Sequence, residues 1–160
     1  MAQPTLTTYG GNLRDLGYAG EVVNMHANVI DSKTNEGTIA IDFGNAVARG
    51  TTDNTIKAPT VDGDKIIGIS VRHVTMVADA SGNVNYPRYS SVPHIRDGYT
   101  YVTAFENAVR GDGVISVTAQ NGKLGSTTGG AAGAGRVAVP NATWETTTTA
   151  GNIGIVRINQ

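Results

Sequence analysis

The stretch NGKLGSTTGGAAGAG, Asn121 to Gly135, is where residue types and spacing come closest to nucleotide chemistry. Glycines let backbone N–H groups close on a phosphate. A lysine followed directly by Ser or Thr would hold the outer phosphate and a magnesium ion. Here Lys123 is followed by Leu124, and the glycine spacing that should precede the lysine is missing. No G-x-G-x-x-G register fits Gly129, Gly130, Gly133 and Gly135. The flanks decide the matter: a strand is expected to end near Ala119 and another to start near Arg136, so no helix follows to place its N-terminus on an anion. The stretch reads as a long loop or hairpin tip.

Other chemistry is equally thin. His26, His73 and His94 are far apart and show no metal-ligand spacing, so polar strand positions or hydrogen-bonded core histidines are the default. Asp62 and Asp64 in DGDK match a fragment of a calcium loop, but the closing Glu is absent and a surface turn is the better reading. There is no G-x-S-x-G elbow, and nothing singles out a carboxylate pair among thirteen acidic residues. Asn141-Ala142-Thr143 is a glycosylation sequon only in a eukaryotic secretory route, which nothing here supports. No cysteine is present, so disulfides and thiolate metal sites are excluded. The expectation is a non-enzymatic chain that needs no cofactor or metal.

The elements that would position any site are read from composition and period. The chain has 160 residues, 39% hydrophobic and 16% charged, with 21 glycines and a threonine run from Thr146 to Thr149. Thr favours strands and Gly supplies the positive φ of turns. Net charge is −1 with both signs mixed along the chain, which argues against a nucleic-acid partner. No apolar run approaches the length of a membrane helix, and MAQPTLTTYGG is no secretory signal.

Residues 1–20 read as an extended arm and 21–160 as one β domain, with the glycine-rich loop at 121–135. EVVNMHANVID is a possible strand with Val22, Asn24 and His26 on one face. In TIAIDFG, Ile39, Ile41 and Phe43 alternate with Thr38, Ala40 and Asp42. KIIGISVRHVTMV places Ile67, Ile69 and Val71 on one face and Ile66, Val74 and Met76 on the other, as in a strand buried on both sides. YSSVPHIRDG is expected to end in an Asp97-Gly98 hairpin. YTYVTAF follows, with Tyr99, Tyr101, Thr103 and Phe105 together. Phe105 to Arg110 is the one short helical candidate. RVAVPNATWET and NIGIVRIN close the chain as strands. The fold class is all-β: a compact β-barrel or jelly-roll-like sandwich with an extended N-terminal arm. Tyr86, Arg88, Tyr89 and Trp144 are candidate interface residues, although a core position suits Trp144 better.

The order of these pieces resembles the structural cement, or decoration, proteins of tailed bacteriophage capsids. IAIDFGNAVARG, DKIIGISV, VPHIRDGYTYVTAFENAVRGDGVIS and WETTTTAGNIGIVRIN carry the likeness across residues 38–160. The resemblance implies a virion protein on the capsid exterior, assembled in the bacterial host cytoplasm. It implies a homodimer or homotrimer that bridges neighbouring major capsid proteins to stabilise the shell. On that reading the arm, with Thr5, Leu6, Tyr9, Leu13, Arg14 and Asp15, lies across a coat neighbour. Two other readings stay open. One is a carbohydrate- or receptor-binding β module of a phage fibre, which would need a platform from Tyr86, Tyr89 and Tyr99. The other is a small hydrolase on a barrel fold.

Overall fold

A computed structural model describes residues 17–23, 27–73, 78 and 84–160. Eleven strands are present among them: β1 (Val29–Asn35), β2 (Ile41–Asp42), β3 (Ala46–Arg49), β4 (Thr55–Lys57), β5 (Ile66–Ser70), β6 (Asn85–Tyr86), β7 (Ser91–Thr103), β8 (Gly113–Val117), β9 (Lys123–Ser126), β10 (Arg136–Trp144) and β11 (Ile153–Asn159). The only helical pieces described are two single 3-10 turns, Thr118–Gln120 and Thr127–Gly129. The all-β expectation holds.

Strand pairing runs β1-β4-β3-β5-β7 and returns from β7 to β1, which closes a five-stranded barrel. Closure removes the open edges that would otherwise template aggregation. From β7 the sheet continues through β11, β10, β8 and β9. It curls until Leu124 of β9 bridges Ala104, just beyond the end of β7. Segment 20–23 pairs on the other edge of upper β7, where Val22 bridges Thr100 and the Val23 N–H donates to Tyr99 O at 3.0 Å. Gly20, the last residue of the expected arm, donates its N–H to Tyr101 O at 2.7 Å.

Two cores result. One fills the barrel with Val47, Ile56, Val92 and Ile67, capped by Ile41 and Tyr86 of the small β2–β6 pair and by Ile39 and Phe43. The larger core joins the barrel's outer face, through Ala46, Ala48, Ile66, Ile69 and Ile95, to Val102, Leu124, Trp144, Val156 and Ile158 of the curled sheet. Side chains alternate across a strand, so β3 serves both cores: Val47 points inward, Ala46 and Ala48 outward.

The structure corrects four sequence expectations. In β5 the ladder with β3 pairs Val47 with Gly68 but Ala48 with Ile66, so Ile67 is an extra residue. That bulge puts Ile66, Ile69 and Val71 in the larger core and leaves Ile67 to the barrel, where strict alternation grouped Ile67 with Ile69. Asp97-Gly98 makes no hairpin, because β7 runs 13 residues straight through it. Phe105 to Arg110 forms no helix; Ala108 instead bridges Thr148. Within 21–37 the regular strand is β1, later than EVVNMHANVID suggested, and Asn24 and His26 lie outside the described residues. Val74 and Met76 also lie outside them.

Candidate functional site

The sequence-selected residues separate sharply. Thr5, Leu6, Tyr9, Leu13, Arg14 and Asp15 lie outside the described residues. Tyr86 and Trp144, proposed as interface aromatics, are fully buried and are core residues. Tyr86 packs edge-on to Phe43, with ring centroids 5.1 Å apart, and its hydroxyl donates to Val71 O at 2.5 Å. Burial pushes its phenol up to about 12. The Trp144 indole N–H donates to Gly125 O at 3.0 Å. Large amphipathic rings serve cores and interfaces alike, so residue type alone did not separate the two.

Arg88 and Tyr89 do reach the surface. They occupy a turn in which Ser90 N–H donates to Pro87 O at 3.2 Å and the Ser90 hydroxyl to the same oxygen at 2.6 Å. Tyr89 has φ +67°, a left-handed conformation disfavoured for a bulky residue. Its N–H donates to Asn35 O at 2.7 Å, and the Asn35 amide in turn donates to Tyr86 O and Ile39 O at 3.1 Å. The turn is thus anchored to the barrel cap while the Tyr89 side chain stands 71% exposed. The Arg88 guanidinium lies 4.6 Å from its ring centroid and donates to Glu36 O. With Tyr86 buried and Tyr99 half-buried beside Arg157, the three tyrosines form no common platform.

The glycine-rich stretch contains β9 and a 3-10 turn, and a polar network fixes it. Asp112 accepts from the hydroxyls of Ser126 and Thr128, which holds its carboxyl below the ordinary value. Burial pushes Glu106 up, but hydrogen bonds from Arg136 and the Ser126 N–H outweigh that and hold it low. The Glu106 carboxylate lies where side chains at Gly125 and Gly129 would go. Asp62, from DGDK, accepts from Gly135 N–H at 2.8 Å and ties the β4–β5 turn to the same stretch. Asp64 instead caps its own turn, accepting from Thr60 and Val61 N–H groups and pairing with Lys57 at 2.6 Å. These contacts fix the backbone, and the carboxylates of Glu106, Asp112 and Asp62 that gather on the stretch would repel a phosphate.

A feature the sequence reading missed sits at the end of the barrel opposite the Tyr86 cap. On β7, Val92, His94 and Arg96 alternate onto the inner face. Their β1 partners Lys33 and Asp31 share that face, since Lys33 stands opposite Val92 and Asp31 opposite His94. Arg49, two residues past Val47, joins them. Asp31, Lys33, Arg49, His94 and Arg96, together with Ile67 and Gln160, line a cavity of about 170 Å³. The available signal was charge recurring every second residue on strands whose other positions are apolar. Arg96 pairs with Asp31 at 2.7 Å and Arg49 with Asp53 at 2.8 Å. His94 is fully buried; its Nδ1 is 3.5 Å from Val92 O and its Nε2 has no protein partner.

Burial holds the His94 imidazole below its ordinary 6.5, and nearby Lys33 and Arg96 act in the same direction against Asp31. The folded state therefore resists a proton that the unfolded chain accepts. His94's contribution is complete above pH 6.5 and is lost as pH falls from there toward its folded value. For one proton the slope cannot exceed about 1.4 kcal/mol per pH unit. Carboxylates held low, such as Glu106 and Asp112, begin to matter only below their ordinary 4.5 and 3.8, a separate window. Urea midpoints measured from pH 7.5 to 5 should fall for the native chain and stay flatter for His94→Gln. An equal fall in both would remove His94 as the cause.

A search of curated proteins returns no match. A chain from "The capsid of Myoviridae Phage XM1" superposes with a TM-score of 0.71 at 21% identity, covering 91% of each chain, and so shares the fold. A chain from "The crystal structure of head fiber gp8.5 N base in bacteriophage phi29" gives 0.42 at 11% identity, covering 82% of this chain and 94% of that one, too loose to argue from. The model of the family described as "Structural cement protein (E217 gp24/Pam3 gp6)" matches residues 5–159. That span holds every strand from β1 to β11, so the chain belongs to the structural cement protein family.

Proposed function

We propose that this protein binds the outside of a phage head and bridges neighbouring major capsid proteins, so that the shell resists the pressure of packaged DNA. The family match over residues 5–159 is the observation that carries this reading. The physics is avidity: each copy buries a modest area on two or three coat subunits, and many copies act together. Symmetric self-association as a homodimer or homotrimer fits the same task, because capsid sites repeat about symmetry axes.

Arg88 and Tyr89 are the described surface residues best suited to anchor that contact. A left-handed tyrosine costs about 1 kcal/mol in the monomer, and its solvent-exposed ring returns little of that. An aromatic–arginine pair held on a rigid turn is the composition enriched at binding hot spots. Asparagine tolerates the left-handed conformation. Tyr89→Asn should therefore leave the fold as stable or up to about 1 kcal/mol more stable, while weakening head binding by about 30-fold.

The test mixes purified protein with heads that lack it and counts bound copies by quantitative mass spectrometry. Binding in a fixed ratio to the coat protein, reduced by Tyr89→Asn, is expected. A few copies per particle would favour a fibre part, and no binding would end the cement reading. Native binding by Tyr89→Asn would move the contact elsewhere on the surface.

A further inference from the structure

We propose that the charged mouth of the five-stranded barrel, lined by Asp31, Lys33, Arg49, His94 and Arg96, is a binding site for one small oxyanion, a phosphate or a carboxylate. Three features meet there. The first is charge: three cationic side chains face one carboxylate around the cavity. Arg96 uses one nitrogen on Asp31 and Arg49 one on Asp53, so each guanidinium keeps N–H donors in reserve. Lys33 donates to the Asp53 carbonyl, which holds its ammonium at the rim.

The second feature is His94. A buried ring nitrogen without a partner is costly, and native structures rarely leave one so. The 3.5 Å contact of Nδ1 with Val92 O fixes the tautomer only weakly. The neutral ring can therefore carry its proton on Nε2, which the wall covers in this conformation, and a small turn of the ring in that wall would present the N–H to an oxygen in the cavity. The third feature is size. About 170 Å³ exceeds the roughly 30 Å³ of one water several-fold, enough for a tetrahedral oxyanion or a carboxylate with some of its water.

The same features decide against other occupants. A metal ion would meet one carboxylate and three cations, and among the described residues no group of three His, Asp or Glu side chains converges to hold one. Water alone would satisfy Nε2 but gives no reason for Lys33, Arg49 and Arg96 to crowd the same opening. The barrel wall contributes no further charge there: β5 presents Ile67, and its Gly68 lies against the His94 ring edge.

The experiment observes the histidine ring nitrogens of the full chain by NMR, with His94→Gln used to assign His94 apart from His26 and His73. Inorganic phosphate and, separately, acetate are titrated to tens of millimolar at constant ionic strength, with chloride as control. Saturable movement of the His94 signals, with a rise in its apparent pKa as the anion binds, is expected. Lys33→Met and Arg96→Gln should each weaken the response about ten-fold. Lys33→Met leaves the Arg96–Asp31 pair intact, so it reads the site even where Arg96→Gln disturbs it. Response to phosphate alone would identify a free anion as the ligand. Response to acetate as well would identify a carboxylate, the chemistry of an acidic side chain on a bound partner. No saturable response beyond chloride, or native affinity in both variants, would overturn the proposal.

Discussion

Replacing Trp144 with alanine should lower the unfolding free energy by about 4 kcal/mol. That is a large share of the roughly 5–15 kcal/mol available to a domain of this size. Trp144 ends β10 at the centre of the larger core and is wholly buried. Its ring faces Gly154 of β11, where any side chain would collide with it. Its N–H satisfies Gly125 of β9, and its backbone N–H donates to Asp112 O at 2.8 Å, so one residue ties three segments of the curled sheet together. Alanine would remove the packed ring and leave the Gly125 carbonyl without its donor. Phenylalanine separates the two effects: it keeps most of the volume and should cost about 1–3 kcal/mol, mainly for the lost hydrogen bond. Urea unfolding followed by far-UV circular dichroism measures both. A loss below about 1 kcal/mol for Trp144→Ala would mean that this core is not packed around the ring.

What could be read in the sequence, and what could not, follows from which interactions are local. Strand identity was legible because Thr, Val and Ile segments alternate between Gly-rich turns, and β11 is found where NIGIVRIN placed it. Face assignments failed where a bulge intervened, because Ile67's extra position in β5 is set by its pairing with β3 and leaves no mark in β5 itself. A barrel was one of the two expected forms, but the strand pairing that closes it was hidden. It depends on β1 meeting β7 across some sixty residues, and only the two apolar faces read in KIIGISVRHVTMV hinted at a strand shared between cores. Of the proposed head contact, Arg88 and Tyr89 were singled out by residue type, and both lie at the surface. The barrel mouth was not, because Asp31, Lys33, Arg49, His94 and Arg96 come from three strands and converge only once the barrel closes.

Gly98→Ala is expected to cost about 3 kcal/mol, from a conformation that only glycine adopts readily together with a direct overlap. Gly98 has φ +130° in the middle of β7, and the space a methyl would fill holds the side-chain amide of Asn28, whose oxygen accepts from Tyr99 N–H at 3.2 Å. The same place explains why an apparent hairpin dipeptide is a kink. The β1–β7 ladder shifts register as Val29 meets Asp97 and Ile30 meets Ile95, which adds a residue to β7. As a result the larger core takes odd-numbered Ile95 before the kink and even-numbered Val102 after it. One strand can then wall the barrel with its first half and the curled sheet with its second. Asn28→Ala separates the two costs: combined with Gly98→Ala it removes the overlap but not the unfavourable φ. The double variant should therefore be less destabilised than the sum of the singles, by about 1–2 kcal/mol of coupling. Additive losses would show that the amide yields freely and that φ alone sets the cost. A Gly98→Ala chain within about 0.5 kcal/mol of the native one would contradict the kinked β7 itself. The shared wall between the two cores, and the register that brings His94 and Arg96 to the barrel mouth, would fall with it.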